Sequence, residues 1–317
     1  MVNCLPVVLV LAAYAQAAPA VMELTLLEEG KFRDIIDGAP KHLEASSVTQ
    51  VGGQYYAIFD SKEYVGVVSD IQNESSRNYL AGKEGDDIGY EGLQYISDGQ
   101  FMALIEADDK YGVINEFTIS GDEKSAVRTC KLDYKLPSNN KGFEGIYLGR
   151  LIPGEPQYLF ALCEGNYCEN GDTGETSGNG RIQVFEVSAT VLEGDDDDDG
   201  GGDECLWKHV QEIQIPPQVS FTDYSDFDFN GTHIAIVSQE DSTLWIGSAS
   251  VVGPNMTISD DGVIYSFPKN EDDDVIYCNI EGVVMNGNTV VVVSDKAKGD
   301  QDDECEIGES SIHRFQL

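Results

Sequence analysis

The chain has 317 residues, 57 of them acidic against 19 basic, for a formal net charge of −38. A surface so negative excludes nucleic acid and anionic membranes as partners and attracts cations. Some 300 residues, roughly, follow the N-terminal leader, enough for one large β domain or two ordinary ones, and internal repeats must decide between them.

In chain order, LPVVLVLAAYAQAAPA precedes the first charged residue, Glu23, and contains the small-residue pattern Ala15-Gln16-Ala17. We read residues 1–17 as a cleaved secretory signal; the missing basic n-region leaves an uncleaved anchor as the alternative, although the run is too short and Ala-rich for a comfortable membrane span. No other segment is apolar enough to span a bilayer, so no span is expected after signal cleavage. A strand, VMELTLLEEG, comes next. Five segments then share one plan, in which a small or acidic residue opens an apolar strand and a second apolar strand ends in an acid. They are SSVTQVGGQYYAIFD from Ser46, EGLQYISDGQFMALIEADD from Glu91, EGIYLGRLIPGEPQYLFALCE from Glu144, SDFDFNGTHIAIVSQED from Ser225 and EGVVMNGNTVVVVSD from Glu281.

Openers recur about every 45 to 55 residues, except for about 80 between Glu144 and Ser225. That gap holds ENGDTGETSGNG (169–180) and EGDDDDDGGGDE (193–204), tracts that bury no apolar area and are expected to be disordered or mobile. Each unit offers two further strands, such as YGVINEFTIS and AVRTCKLDYKL. Four short strands parted by Gly, Asn and Asp turns describe a propeller blade. The last unit has only three before the chain ends at SSIHRFQL, so the N-terminal strand is expected to complete it, removing open edges. The fold expected is all-β: a five-bladed β-propeller over residues 21–317 as a single domain. Six blades is the alternative if the acidic region hides one.

The runs GYEGLQYISDGQFMALIEADDKYGVINEFTI, NKGFEGIYLG, DYSDFDFNGTHIAIVSQEDSTLWIG and IEGVVMNGNTVVVVSD with SSIHRFQL resemble, in order, the SdiA-regulated family of exported β-propellers. The resemblance covers most of the chain from about Ser46 and implies a five-bladed propeller with openers in the order Ser, Glu, Glu, Ser, Glu. This chain departs from the family in its acidic insertions, its six cysteines after Cys4 and its sequons. A more distant likeness, through the GFEG strand opener, is to phytase-like esterase propeller domains.

In a blade the second strand runs antiparallel to the innermost one, so the start of the first lies beside the end of the second. The openers Glu91, Glu144 and Glu281, with Ser46 and Ser225, should therefore ring the channel mouth as candidate metal ligands. The strand-end acids Asp60, Glu106, Glu164, Glu240 and Asp295 should form a second, ligand-binding ring on the same rim. So many carboxylates cannot all stay ionised and unpaired, and few basic residues (Lys62, Lys141, Lys296) lie nearby. Oxygen donors without His or thiolate select calcium or magnesium over zinc, and calcium tolerates irregular shells best. The alternative is that each opening Glu accepts backbone amide hydrogen bonds from a neighbouring blade. The Gly after Glu91, Glu144 and Glu281 is read as allowing close backbone approach at the axis.

Other candidates carry less. His42, His209, His233 and His313 have no metal-ligand spacing and support no His-based triad. GDDDDDGGGDE and NEDDDV lack the ordered calcium-loop pattern. Trp207 and Trp245 are read as packing residues rather than sugar platforms. The cysteines after Cys4 suit an oxidising compartment, with Cys163–Cys168 closing a short rim loop and Cys278–Cys305 and Cys130–Cys205 as the economical remaining pairs among fifteen connectivities. Sequons at Asn73, Asn230 and Asn255 mark glycosylation sites of a secreted, extracellular protein.

Two functions follow from these expectations. The first is a non-catalytic propeller that binds divalent cations, calcium above all, and through them an extracellular ligand or mineral surface. The second is a calcium-dependent phosphoesterase or lactonase-type hydrolase, in which the metal activates water and a channel carboxylate acts as base. The scarcity of basic residues favours binding.

Overall fold

The computed structural model describes residues 21–85, 88–138, 141–150, 153, 155–187, 205–299 and 301–317; the signal segment and the tract 193–204 lie outside them. The N-terminal strand is split into β1 (Val21–Glu23) and β2 (Thr25–Lys31), followed by a helical turn, α1 (Phe32–Ile35). Four-stranded meanders follow. One is β3 (Ala45–Val51), β4 (Gln54–Phe59), β5 (Lys62–Val68) and β6 (Tyr79–Ala81). The next is β7 (Tyr90–Ser97), β8 (Gln100–Asp108), β9 (Tyr111–Ser120) and β10 (Glu123–Lys135). Then come β11 (Phe143–Leu148), β12 (Tyr158–Cys163), a helical turn α2 (Gly171–Gly174), β13 (Arg181–Val187) and β14 (Cys205–Gln214). After these run β15 (Asp226–Phe229), β16 (His233–Ser238), β17 (Thr243–Val252), the hairpin strand β18 (Asn255–Ile258) and β19 (Val263–Ser266). Last are β20 (Ile280–Asn286), β21 (Thr289–Ser294) and β22 (Ser311–Gln316).

The N-terminal strand serves two sheets. β2 pairs antiparallel with β22 and completes the β20 meander as expected, whereas β1 adds in parallel to β19 on the neighbouring one. First strands pack side by side in a ring: β3 on β7, β7 on β11, β11 on β15, β15 on β20, and β20 back on β3. The chain is thus an all-β propeller.

Burial explains why second strands read as unbroken apolar runs while outer strands alternate. Val290 to Val293 of β21 are each 0% exposed. Val291 and Val293 join a cluster with Ala45 and Phe59 on one side, and Val290 and Val292 join one with Ala235 and Val237 on the other. A strand sandwiched between two neighbouring sheets needs apolar residues on both faces, and its β-branched valines suit that pleated surface. Outermost β10, facing water on one side, alternates instead as EKSAVRTCKLDYK. Trp207 and Trp245 are core residues at 1% exposure; Gly247 and Gly262 leave room for the Trp245 indole, where any Cβ would collide with it.

All three expected disulfides are present: Cys130–Cys205, Cys163–Cys168 and Cys278–Cys305. Cys130 and Cys205 are register partners where β10 and β14 pair in parallel, so that bridge staples the outer strands of adjacent meanders. The stretch 169–180 carries α2 and is hydrogen-bonded to Asn166. This fully buried amide donates to the carbonyls of Gly174, Phe221 and Thr222 and accepts from Asn179 N and the Tyr224 hydroxyl. No described helix is long and apolar enough to cross a membrane.

Candidate metal centre at the channel mouth

The openers sit where the first strand slips register. Pairing jumps between Ala45 and Ser47, Tyr90 and Gly92, Phe143 and Gly145, and Ile280 and Gly282, so Ser46, Glu91, Glu144 and Glu281 are each the extra residue of a β-bulge. Such a bulge re-aims its side chain out of the pleat. Ser225 sits one residue ahead of β15, its N–H bonded to Val237 O. Crowding requires the Gly after two of these openers: a Cβ on Gly145 would lie 2.5 Å from Asp226 Oδ1, and one on Gly282 would lie 2.7 Å from Ser47 Cα, whereas one on Gly92 would make only a tight 3.1 Å contact with Ile146.

Strand-end acids are positioned by a second repeat. The amides of Asp60, Glu106, Glu164 and Asp295 donate to the carbonyls of Glu44, Gly89, Gly142 and Asn279, each two residues before an opener, at 2.8–3.0 Å. In the β15 meander the same place is taken by a side chain, Glu240 N donating to Asp223 Oδ1 at 3.1 Å. Both rings therefore face one mouth.

Within it, Glu106, Glu144 and Glu164 converge, one carboxylate oxygen of each lying within 4.8 Å of the others. The trio combines one opener with two strand-end acids, rather than the openers alone. Ser46 and Ser225 direct their hydroxyls to backbone carbonyls, Glu44 O at 3.3 Å and Ile280 O at 2.9 Å. Glu281 accepts from the Gln239 amide. Glu144, 6% exposed, accepts no hydrogen bond from any described residue, so the backbone-amide partnership considered for the openers does not hold at Glu144. On the adjoining first strands, Leu93 N of β7 is taken by Ser47 Oγ and Phe227 N of β15 by Asp226 Oδ1.

Two acids of YSDFDF, Asp226 and Asp228, take amides of β15 and β20, and Asp223, just ahead of that run, takes the amide of Glu240. Asp226 Oδ2 accepts from Ser47 Oγ (2.9 Å) and Val283 N (3.1 Å), and its Oδ1 from Phe227 N (2.8 Å). Asp228 Oδ2 accepts from Met285 N (2.8 Å). Asp223 accepts from the Ser238 hydroxyl as well as Glu240 N. Sequence reading passed over them because an i, i+2 acid pair looks like a solvated strand face; the signal was acids alternating with phenylalanine, and a polar residue two before the opener.

Electrostatics follow from burial. It raises Glu91, Glu144 and Glu281 well above the carboxylate range, with neighbouring mouth acids adding to the rise. Burial and then Glu164 push Glu106 up to about 7, despite Gly142 N donating to its Oε1 at 2.9 Å. Burial similarly lifts Asp295 to about 7 and Asp223 to about 6. Glu164 is raised by burial but held down by Lys141, whose Nζ lies 2.5 Å from its Oε1. Lys298 joins the lysines expected near the mouth. Lys296 binds Glu44 at 2.6 Å and Lys298 binds Gln239 Oε1 at 3.2 Å, while Lys62 pairs with Glu84 at 2.9 Å.

One histidine does enter a triad-like line. Ser294 Oγ lies 3.1 Å from His313 Nε2, and Glu29 Oε2 lies 3.6 Å from Nδ1. The Ser294 hydroxyl nevertheless donates to Gly308 O, and both Ser294 and His313 are 1% exposed. A nucleophile needs a free lone pair facing substrate, so this line clamps β21 to β22.

No family model and no curated protein matches the chain. Among solved structures, it is similar to Myxococcus xanthus glutaminyl cyclase at 9% identity and TM-score 0.51, covering 94% of this chain and 97% of that one. The PQQ-bound aldose sugar dehydrogenase of Streptomyces coelicolor aligns at 14% identity and TM-score 0.49, with 91% and 98% covered. A GH43_1 enzyme from Xanthomonas citri aligns at 9% and 0.48, with 92% and 90% covered. At such identities the likeness speaks to fold alone.

Proposed function

We propose that the chain is a secreted, single-domain, five-bladed β-propeller of the kind its SdiA-regulated resemblance implies, and that its mouth binds a divalent cation and through it an extracellular ligand or mineral surface. The ring order of first strands supports five blades over six. The observation that carries the cation is the convergence of Glu106, Glu144 and Glu164, in which Glu144, 6% exposed, accepts no hydrogen bond from any described residue. A buried ion must be paired or neutralised, and a set of carboxylate oxygens without His or thiolate suits calcium. Glu91, Glu281, Asp60, Glu240 and Asp295 supply the surrounding negative field. The disulfides support an oxidising compartment, and Asn73, Asn230 and Asn255 are exposed, which suits glycan attachment.

Calorimetric titration with calcium, and melting with and without chelator at fixed ionic strength, test this reading. Binding by the folded state alone must raise the melting temperature and must be lost in Glu144→Gln. Absence of heat and of any shift overturns it. A second reading, metal-dependent ester hydrolysis, is favoured by Glu106 near neutrality, as a general base requires, and by Lys141 and Lys298 at the mouth. Calcium-dependent turnover of phosphate esters or lactones, abolished in Glu144→Gln, would replace the binding-only reading.

A further inference from the structure

The loop ahead of Glu144 ties two of the three converging carboxylates to itself. Gly142 N donates to Glu106 Oε1 at 2.9 Å, and the preceding residue, Lys141, places its Nζ 2.5 Å from Glu164 Oε1. A cation bound by all three carboxylates must draw on Glu164, where the ammonium already stands. The Lys141 side chain is 31% exposed against 18% for Glu164, so it can swing into water on its flexible stem while the carboxylate stays. Glu144, buried and without a hydrogen bond from any described residue, is the ligand that this ammonium contact does not reach.

We infer that Lys141 is the resident counter-cation of the mouth, a tethered competitor that a divalent cation displaces and that sets the site's affinity. This rests on the cation-binding reading above. An ammonium offers one charge and donates to one carboxylate, whereas a divalent ion offers two charges and coordinates several oxygens at once. Exchange therefore proceeds only at cation concentrations high enough to overcome the ion pair, and the released ammonium becomes available to an anionic group on whatever ligand the bound cation recruits.

The test compares calcium titrations of wild type, Lys141→Met and Lys141→Arg at one pH and ionic strength, with thermal melts establishing that each variant is folded. It is paired with acylation footprinting of Lys141 with and without calcium. Lys141→Met should bind about tenfold more tightly, a change worth about 1.4 kcal/mol, and Lys141→Arg should not, since a guanidinium grips a carboxylate at least as firmly. Acylation of Lys141 in wild type should rise on adding calcium. If wild type binds calcium but Lys141→Met binds equally or more weakly, or acylation does not rise, the competitor role is overturned while the metal centre stands. If neither protein binds calcium, the metal reading and this inference fall together.

Discussion

Ser47 Oγ donates to Asp226 Oδ2 at 2.9 Å, joining β3 to β15 across the channel although β20 lies between them in the ring. Leu93 N of β7 donates to the same Ser47 oxygen at 3.2 Å, and Val283 N of β20 to the same Asp226 oxygen at 3.1 Å. First strands of four meanders thus share one buried chain of hydrogen bonds, in which Asp226 is the terminal acceptor.

Asp226→Ala leaves Ser47, Val283 and Phe227 without their acceptor, and loss of about 3–5 kcal/mol in denaturant melts is expected. Asp226→Asn keeps an acceptor and matches the neutral acid that burial favours, so about 1–2 kcal/mol should be lost. Equal losses in the two variants would show that backbone packing alone, not this bond chain, holds the first strands.

Stability should fall as pH rises through the neutral range when no divalent cation is present. Burial raises Glu106 and Asp295 to about 7, and Asp223 and Asp228 to about 6, so between the ordinary carboxylate range and those values the folded state holds more protons than the unfolded one. With ν_N above ν_U the slope is negative, about 1.4 kcal/mol per pH unit for each extra proton. Melts between pH 4.5 and 7.5 in chelator read the slope, and calcium should flatten it by binding the ionised form. A flat profile in chelator contradicts the buried carboxylate ring.

Glu144→Gln should raise the metal-free melting temperature while abolishing any rise with calcium. At neutral pH it removes a carboxyl that burial forces to take up a proton on folding and that accepts no hydrogen bond from any described residue, a change worth about 1–2 kcal/mol in favour of the folded state. Destabilisation of the metal-free protein would mean that Glu144 is satisfied by a donor after all.

Cys130–Cys205 spans 75 residues and Cys163–Cys168 only 5. Chain entropy makes the longer loop the greater constraint on the unfolded state, about 4 kcal/mol against about 2. Paired Ser replacements should lower the denaturant midpoint in that order. The reverse order would assign the rim bridge a role in native packing beyond loop closure.

Much of this was legible along the chain. Opener and strand-end acids repeat with the sheet, so Ser46, Glu91, Glu144, Ser225 and Glu281 and the acids opposite them could be placed on one rim before any coordinates. The three disulfides followed from economy of pairing. The triplet that converges was not legible, because Glu106 and Glu164 end second strands of adjacent meanders and meet Glu144 only through the twist of the blades and the bulge that re-aims it. Lys298 was missed for a related reason, since it lies on the loop from Lys296 to Gly299 that turns back over the mouth.

Residue pattern alone determined the sheet layers, because period-2 alternation and unbroken valine runs report how many faces of a strand meet water. It also determined that charge must collect at the strand mouths. Which of those charges are paired was decided only in three dimensions. Hydrogen bonding depends on angstrom-scale approach between strands distant in sequence, and closure of the ring gives Asp226 and Asp228 amides of β20 while bringing Glu144 none from the described residues.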